Sequence, residues 1–160
     1  MTPSFQIGVV ALLLASLIWA ATLVAAPYIV SRVSEDAPVL RAAAVVYAVG
    51  SFICHQRPER SFRLAGVQVP VCARCEGLYL AAPFGIAWLV ALRRRYRTAI
   101  ASRRTWQRMI VVASILTLMT LVWEWMTGEM TSGVVRAAAG GVLGAAVAAA
   151  VTAVAVGDLR

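Results

Sequence analysis

The chain has 160 residues, of which 61% are hydrophobic and only 14% charged, and its formal net charge at pH 7 is +8. Soluble domains are about 45–50% apolar. The composition therefore argues against a soluble helical protein and indicates one that lies mostly in lipid.

Uncharged stretches at 5–30, 77–92, 109–123 and 137–157 predict four transmembrane helices, over residues 5–30, 77–92, 107–126 and 134–157. A spanning helix needs about 20 mostly apolar residues. The first and last segments meet this length, whereas the middle two need flanking residues or local thinning of the bilayer. The first has no positively charged leader, so we interpret it as a retained membrane helix and not a signal peptide.

A fifth helix is predicted over residues 38–53, but its place in the membrane is open. Arg41 lies one turn inside it, so the helix either spans with this side chain reaching the surface or lies in the interface. The predicted fold class is an all-α integral membrane protein with four or five transmembrane helices and a small Cys/His hairpin at one membrane face.

An arginine-rich stretch that follows the segment 77–92 predicts the orientation. It contains Arg93, Arg94, Arg95, Arg97, Arg103, Arg104 and Arg108. The positive-inside rule places this loop in the cytoplasm and the protein in the plasma membrane. We expect no nucleic-acid binding, because a short loop between membrane helices has no groove-reading element. Helix alternation then places residues 54–76 and the turn from Glu124 to Arg136 together at the other face, outside the cytoplasm.

The segment 54–76 holds all three cysteines and the only histidine. Apolar residues alternate with polar ones around Ala65-Gly66, which predicts a hairpin. Three thiols and one imidazole within 22 residues are enough for one tetrahedral metal centre. The predicted metal ligands are Cys54, His55, Cys72 and Cys75. Zinc is the expected ion, with iron or no metal as alternatives.

The two halves of this ligand set differ. Cys72 and Cys75 have the spacing found in the knuckles of zinc ribbons and rubredoxins, which they resemble. Cys54 and His55 are adjacent, and neighbouring side chains of an extended segment point to opposite sides. One of them would then be the ligand, leaving an open metal position. A thiol/disulfide redox pair at Cys72 and Cys75, or three cysteines that only pack, are the other interpretations.

Other polar residues predicted at the same face extend the site. Arg60, Arg74 and Arg136 are candidate ligands for an anionic lipid or phosphate. Glu124 stands in an apolar Trp-Glu-Trp sequence, so it needs a partner such as Arg136 or has a proton-handling role. Supporting or proton-handling roles are also predicted for Gln56, Ser61, Tyr79 and Ser132.

Small residues in the last helix predict close helix packing. Gly140 and Gly144 form a GxxxG pattern, which suits either packing within the chain or a homodimer.

These motifs resemble DUF2085, a family of uncharacterised bacterial and archaeal membrane proteins. The resemblance covers about residues 45–145. Its first block is Cys54-His55-Gln56, Arg60-Ser61-Phe62, Gly66, Pro70 to Cys75, Gly77 and Tyr79, and its looser second block is Ser132, Arg136 and Gly140. The second block departs from the family pattern, in which Asp and Gln precede the serine and Asn follows it. The resemblance implies no particular reaction.

Three functional hypotheses follow, and whether the protein is an enzyme stays open among them. The first is a Cys/His metal site that organises an arginine-lined pocket. The second is a membrane thiol/disulfide oxidoreductase that uses Cys72 and Cys75. The third is a structural or partner-binding membrane module.

Overall fold

The computed structural model describes residues 3–32, 38–96 and 102–155, which form five helices and one small hairpin. The helices are α1 (Pro3–Arg32), α2 (Pro38–Ile53), α3 (Ala73–Tyr96), α4 (Arg103–Thr127) and α5 (Gly133–Ala155). A 3₁₀ turn (Pro58–Arg60) and the antiparallel strands β1 (Arg63–Leu64) and β2 (Val67–Gln68) connect α2 to α3.

Within the described residues, four helices are long and apolar enough to cross a membrane: Gln6–Arg32, Ala73–Tyr96, Arg103–Thr127 and Gly133–Ala155. The predicted mostly helical architecture with at least four membrane-length helices is therefore confirmed. Helix α2 has 16 residues, which corresponds to a length of about 24 Å. This is short of the hydrocarbon core, about 30 Å thick.

The helix boundaries differ from the predicted ones mainly at α3. This helix begins at Ala73 instead of residue 77, so Cys75 and Glu76 belong to its first turn and not to the hairpin. Arg97 and residues 156–157, which the predictions included, lie outside the described residues.

The hairpin turn has the geometry that the sequence indicates. Ala65 and Gly66 both have positive φ, at 50° and 81°. Two central residues with positive φ make the tight turn that matches the twist of the flanking strands. The register pairs Arg63 with Gln68 and Leu64 with Val67.

Helices α3 and α5 are in backbone contact through glycines. A Cβ added at Gly140 would lie 2.0 Å from the carbonyl oxygen of Arg74, and one at Gly144 would lie 2.1 Å from that of Leu78. On α3, Gly77 approaches Ala137 in the same way. The GxxxG pattern is thus used inside the chain, and a homodimer through Gly140 and Gly144 would have to displace α3.

Two apolar clusters lie towards opposite ends of the bundle. One is formed by Leu89, Trp106, Ala149, Ala150 and Ala153. The other surrounds Cys54 with Leu23 and Val71. Many large apolar side chains point outward instead, as Trp125 does with 88% of its surface exposed. Such a surface suits contact with lipid tails.

Candidate metal centre and arginine cluster

A network of hydrogen bonds ties the segment after α2 to the end of the hairpin. The side-chain Nε2 of Gln56 donates to the carbonyl oxygens of Tyr47 (2.8 Å) and Pro70 (2.6 Å). The side-chain Nε2 of Gln68 donates to the backbone carbonyl of Gln56 (2.6 Å). Gly50 allows the close approach, because a Cβ there would lie 2.4 Å from the Pro70 oxygen. These contacts bring the end of α2 next to the start of α3.

The three cysteines meet where these segments join. The sulfur atoms of Cys54, Cys72 and Cys75 lie within 4.8 Å of one another, and all three are free thiols. The backbone amide of Cys72 donates to the Cys54 sulfur at 3.2 Å. In a tetrahedral zinc–thiolate site the sulfurs are about 3.8 Å apart, from Zn–S bonds of about 2.3 Å. A small inward movement would bring the three sulfurs to that spacing, and soft thiolates suit zinc or iron.

His55 is not brought to these sulfurs. Its side chain is exposed, and among the described residues the group that is close enough to share a metal consists of the three cysteines. Of the adjacent pair, Cys54 faces the other thiols and His55 does not. The arrangement of the side chains does not support the predicted ligand role of His55. Three thiols would leave the fourth position of a tetrahedral metal site open.

Apolar and aromatic side chains surround the thiols. Trp19, Val46 and Tyr79 pack against the cluster that contains Cys54, and the rings of Trp19 and Tyr79 meet edge to face with centroids 5.9 Å apart. A hydrogen bond from the Cys75 thiol is the main cause that lowers the pKa of Cys72 to about 5. The site therefore favours a thiolate at Cys72, which is the form that binds metals and attacks disulfides.

Glu76 is a buried acid that the sequence did not single out. It is 6% exposed, and its Oε2 atom has no hydrogen-bond partner among the described residues. Glu76 lies in the first turn of α3 because this helix begins at Ala73, four residues before the predicted start.

A second cluster forms around the carboxylate of Glu124, near the end of α4. Its Oε1 atom lies 2.9 Å from Nη2 of Arg74 and 3.9 Å from Nε of Arg136, and its Oε2 atom lies 3.9 Å from Nη2 of Arg60. The side chains of Glu124 and Arg136 are 5% and 7% exposed. Three guanidinium groups from the 3₁₀ turn, α3 and α5 thus share one buried carboxylate.

Two threonines complete this cluster, and sequence reasoning missed both. Thr131 donates a hydrogen bond to Glu124 Oε1, and Arg74 Nε donates to the hydroxyl of Thr120 at 3.1 Å. Thr120 lies one turn before Glu124 on α4, so the spacing alone would have placed it on the same helix face.

Several donors of the arginine cluster remain unpartnered. Within the described residues, no hydrogen-bond partner exists for the buried atoms Nε of Arg60, Nη2 of Arg74, and Nε and Nη1 of Arg136. Of these atoms, Nη2 of Arg74 lies 2.9 Å from Glu124 Oε1 and so is already held by the carboxylate. Two buried acceptors, Oε2 of Glu124 and Oε2 of Glu76, also lack a hydrogen-bond partner there. Unpartnered buried polar atoms cost free energy, and the donors outnumber the acceptors around Glu124.

The remaining predicted site residues have local structural contacts. Ser132 precedes α5 and its hydroxyl accepts a hydrogen bond from the Val135 amide at 3.3 Å, as a helix cap does. Ser61 donates to the carbonyl of Arg57 at 2.9 Å. Gln56 is the tie between α2 and the hairpin described above.

A comparison with protein families matches more than half of the chain. The sequence profile of a family described as predicted membrane protein, DUF2085, matches residues 54–150. The chain belongs to the DUF2085 family. The matched range begins at the first cysteine and includes Arg60, Arg74, Glu124 and Arg136, so both clusters lie in the part that the family shares.

Two archaeal relatives match short segments. An uncharacterised protein of Methanocaldococcus jannaschii is 59% identical over 34 residues, which is 21% of this chain and 22% of that protein. Another from Methanothermobacter thermautotrophicus is 55% identical over 31 residues, or 19% of this chain and 28% of that protein. The chain thus covers about a quarter of each relative. No solved structure matches it.

Proposed function

We propose that this DUF2085 protein is a multi-pass membrane protein that binds an anionic ligand between Arg60, Arg74 and Arg136. In this proposal a thiolate-bound metal, zinc in the simplest case, fixes the hairpin that carries Arg60. The site lies at the extracytoplasmic face of the plasma membrane. The observation that carries the proposal is the meeting of three guanidinium groups at one buried carboxylate, with buried donors left over.

The metal site contributes to this function by fixing the chain. Cys54 follows α2, while Cys72 and Cys75 belong to the start of α3, so one ion held by all three would clamp the two ends of the hairpin segment. Arg60 and Arg74 both lie within or next to the clamped segment. The bound ion supplies positive charge and a Lewis-acidic position, whereas the arginines bind and orient the anion.

The proposal is tested on full-length protein in nanodiscs of zwitterionic phosphatidylcholine. Metal analysis should find about one equivalent of zinc, in line with one tetrahedral site, and Cys75→Ser should lose it. Addition of anions, either inorganic phosphate or anionic lipid, should raise the melting temperature of the wild type because a ligand stabilises the folded state that binds it.

Arg60→Gln is the informative variant and Arg63→Gln its matched control. Both arginines belong to the hairpin segment, but the Arg63 side chain is exposed and donates only to the carbonyl of Gly66 at 3.4 Å. The anion-induced stabilisation should shrink in Arg60→Gln and persist in Arg63→Gln. No stabilisation of the wild type by any anion would contradict the proposal.

A second candidate function is thiol/disulfide exchange at Cys72 and Cys75, supported by their hydrogen-bonded free thiols. The Cys72 thiolate would attack a disulfide of a protein substrate and release one of its sulfurs as a thiolate. Cys75, after losing its proton, would then displace the second sulfur. The substrate disulfide would gain two electrons, and a Cys72–Cys75 disulfide would form. Absence of metal together with this disulfide, detected by mass spectrometry, would favour the exchange function over the metal site.

A further inference from the structure

We infer that the anion at the arginine cluster is a phosphomonoester dianion, and not a phosphodiester or a carboxylate. The inference rests on the proposed function and specifies the ligand class of the same site. Its basis is the charge and the number of unpartnered donors that the cluster leaves for a ligand.

The formal charge of the cluster is +2, because three guanidinium groups share one carboxylate. The other buried acid at this end, Glu76, makes no ion pair with these arginines among the described residues. Glu59 and Glu129 are exposed. The side chains of Arg74, Arg136 and Glu124 are 5–12% exposed and that of Arg60 is 35% exposed, so most of this unbalanced charge is poorly solvated and therefore costly. A ligand with two negative charges would neutralise the cluster, whereas one with a single charge would leave half of the excess.

The unpartnered donors point to the same class of ligand. Buried nitrogens without hydrogen-bond partners among the described residues come from the 3₁₀ turn (Nε of Arg60) and from α5 (Nε and Nη1 of Arg136), while Arg74 of α3 is held by Glu124 beside them. A phosphomonoester has three strong acceptor oxygens and a second pKa of about 6, so it carries close to two charges at neutral pH. A phosphodiester offers two such oxygens and a carboxylate also two, each with one charge.

The position of the cluster gives it a positive potential and a way in. Arg74 lies in the first turn of α3 and Arg136 in the first turn of α5, where the helix dipoles favour an anion. The Arg60 side chain is 35% exposed and forms the outer edge of the site. Arg74 and Arg136 lie in the first turns of membrane-length helices and Arg60 lies in the 3₁₀ turn, so the cluster stands at one end of the bundle, within reach of lipid headgroups and of solvent. The monoester is therefore either a lipid headgroup or a soluble phosphate.

The test uses two matched pairs of ligands with full-length protein in phosphatidylcholine nanodiscs at pH 8. The soluble pair is inorganic phosphate and dimethyl phosphate, and the lipid pair is phosphatidic acid and phosphatidylglycerol. In at least one pair the monoester or free phosphate should bind about 10- to 100-fold more tightly than the diester, as expected from a lost charge-assisted hydrogen bond. The pair that binds identifies the source.

Arg60→Gln should reduce the monoester affinity to that of the diester, while Arg63→Gln should leave the preference unchanged. Arg60 is used because Arg136 is almost fully buried and its replacement risks unfolding. Equal binding of monoester and diester, still weakened by Arg60→Gln, would overturn the inference and leave the anion site standing. Absence of any anion binding by the folded wild type would overturn both.

Discussion

The adjacent residues Cys54 and His55 have side chains in different surroundings. The sequence offers four ligands within 22 residues, but adjacent side chains diverge unless the backbone bends. The structure turns Cys54 to the other thiols and leaves His55 exposed. The kinds of ligand could be predicted from the composition. Which of Cys54 and His55 faces the other thiols depends on the backbone angles at Cys54–Gln56, and hydrophobic periodicity does not predict these angles.

This contrast gives a prediction for metal content. His55→Ala should retain the wild-type metal stoichiometry, because its side chain does not reach the thiols. Cys54→Ser should weaken metal binding by at least about tenfold, since even outer-shell changes cost that much. Mass spectrometry of purified protein, with metal counted per chain, measures both. Metal loss from a folded His55→Ala protein would mean that the imidazole is a ligand and that the local backbone differs from the one described.

At the scale of helices and strands, hydrophobic periodicity and helix alternation predicted more of the structure than the sequence did for single side chains. Alternating helices place Glu124 and Arg136 at one end, and the two are found 3.9 Å apart. Alternation does not give the rotation of each helix about its axis, so it could not predict that Arg74 approaches Glu124 more closely, at 2.9 Å. The glycine contacts between α3 and α5 show which faces of those two helices meet.

Neighbouring glycines of α5 provide a test of this contact. Gly140→Ala should destabilise the protein by about 1–3 kcal/mol, the usual cost of overpacking, because its Cβ would lie 2.0 Å from a backbone oxygen of α3. Gly141→Ala is the control, since its Cβ would have ordinary contacts at 3.6 Å. Unfolding in detergent, followed by circular dichroism, compares the two. Equal destabilisation would show that α3 and α5 do not meet through Gly140.

At the scale of the whole molecule, the buried arginines change the evidence for orientation. Of the 15 arginines, seven lie in the predicted cytoplasmic loop and five in the segments predicted at the hairpin end, namely Arg57, Arg60, Arg63, Arg74 and Arg136. Three of these five contact the buried Glu124. Of those five, Arg57 and Arg63 are exposed, as is Arg32 at the end of α1 nearest the hairpin, whereas Arg94, Arg95, Arg103, Arg104 and Arg108 are exposed at the other end. Exposed arginines are thus still more numerous at the predicted cytoplasmic end, in the direction that the positive-inside rule requires.

Accessibility of single introduced cysteines tests that orientation. Glu59→Cys adds a thiol on the exposed 3₁₀ turn, and Arg104→Cys adds one on the exposed start of α4. With an impermeant maleimide, the Glu59 position should react in intact spheroplasts and the Arg104 position only after lysis. The wild type is the control, and it should label weakly because Cys54 is buried and Cys72 and Cys75 are partly buried. The opposite pattern would place both clusters in the cytoplasm, where the anion site would face soluble phosphates and cytoplasmic-leaflet lipids instead of the outer leaflet.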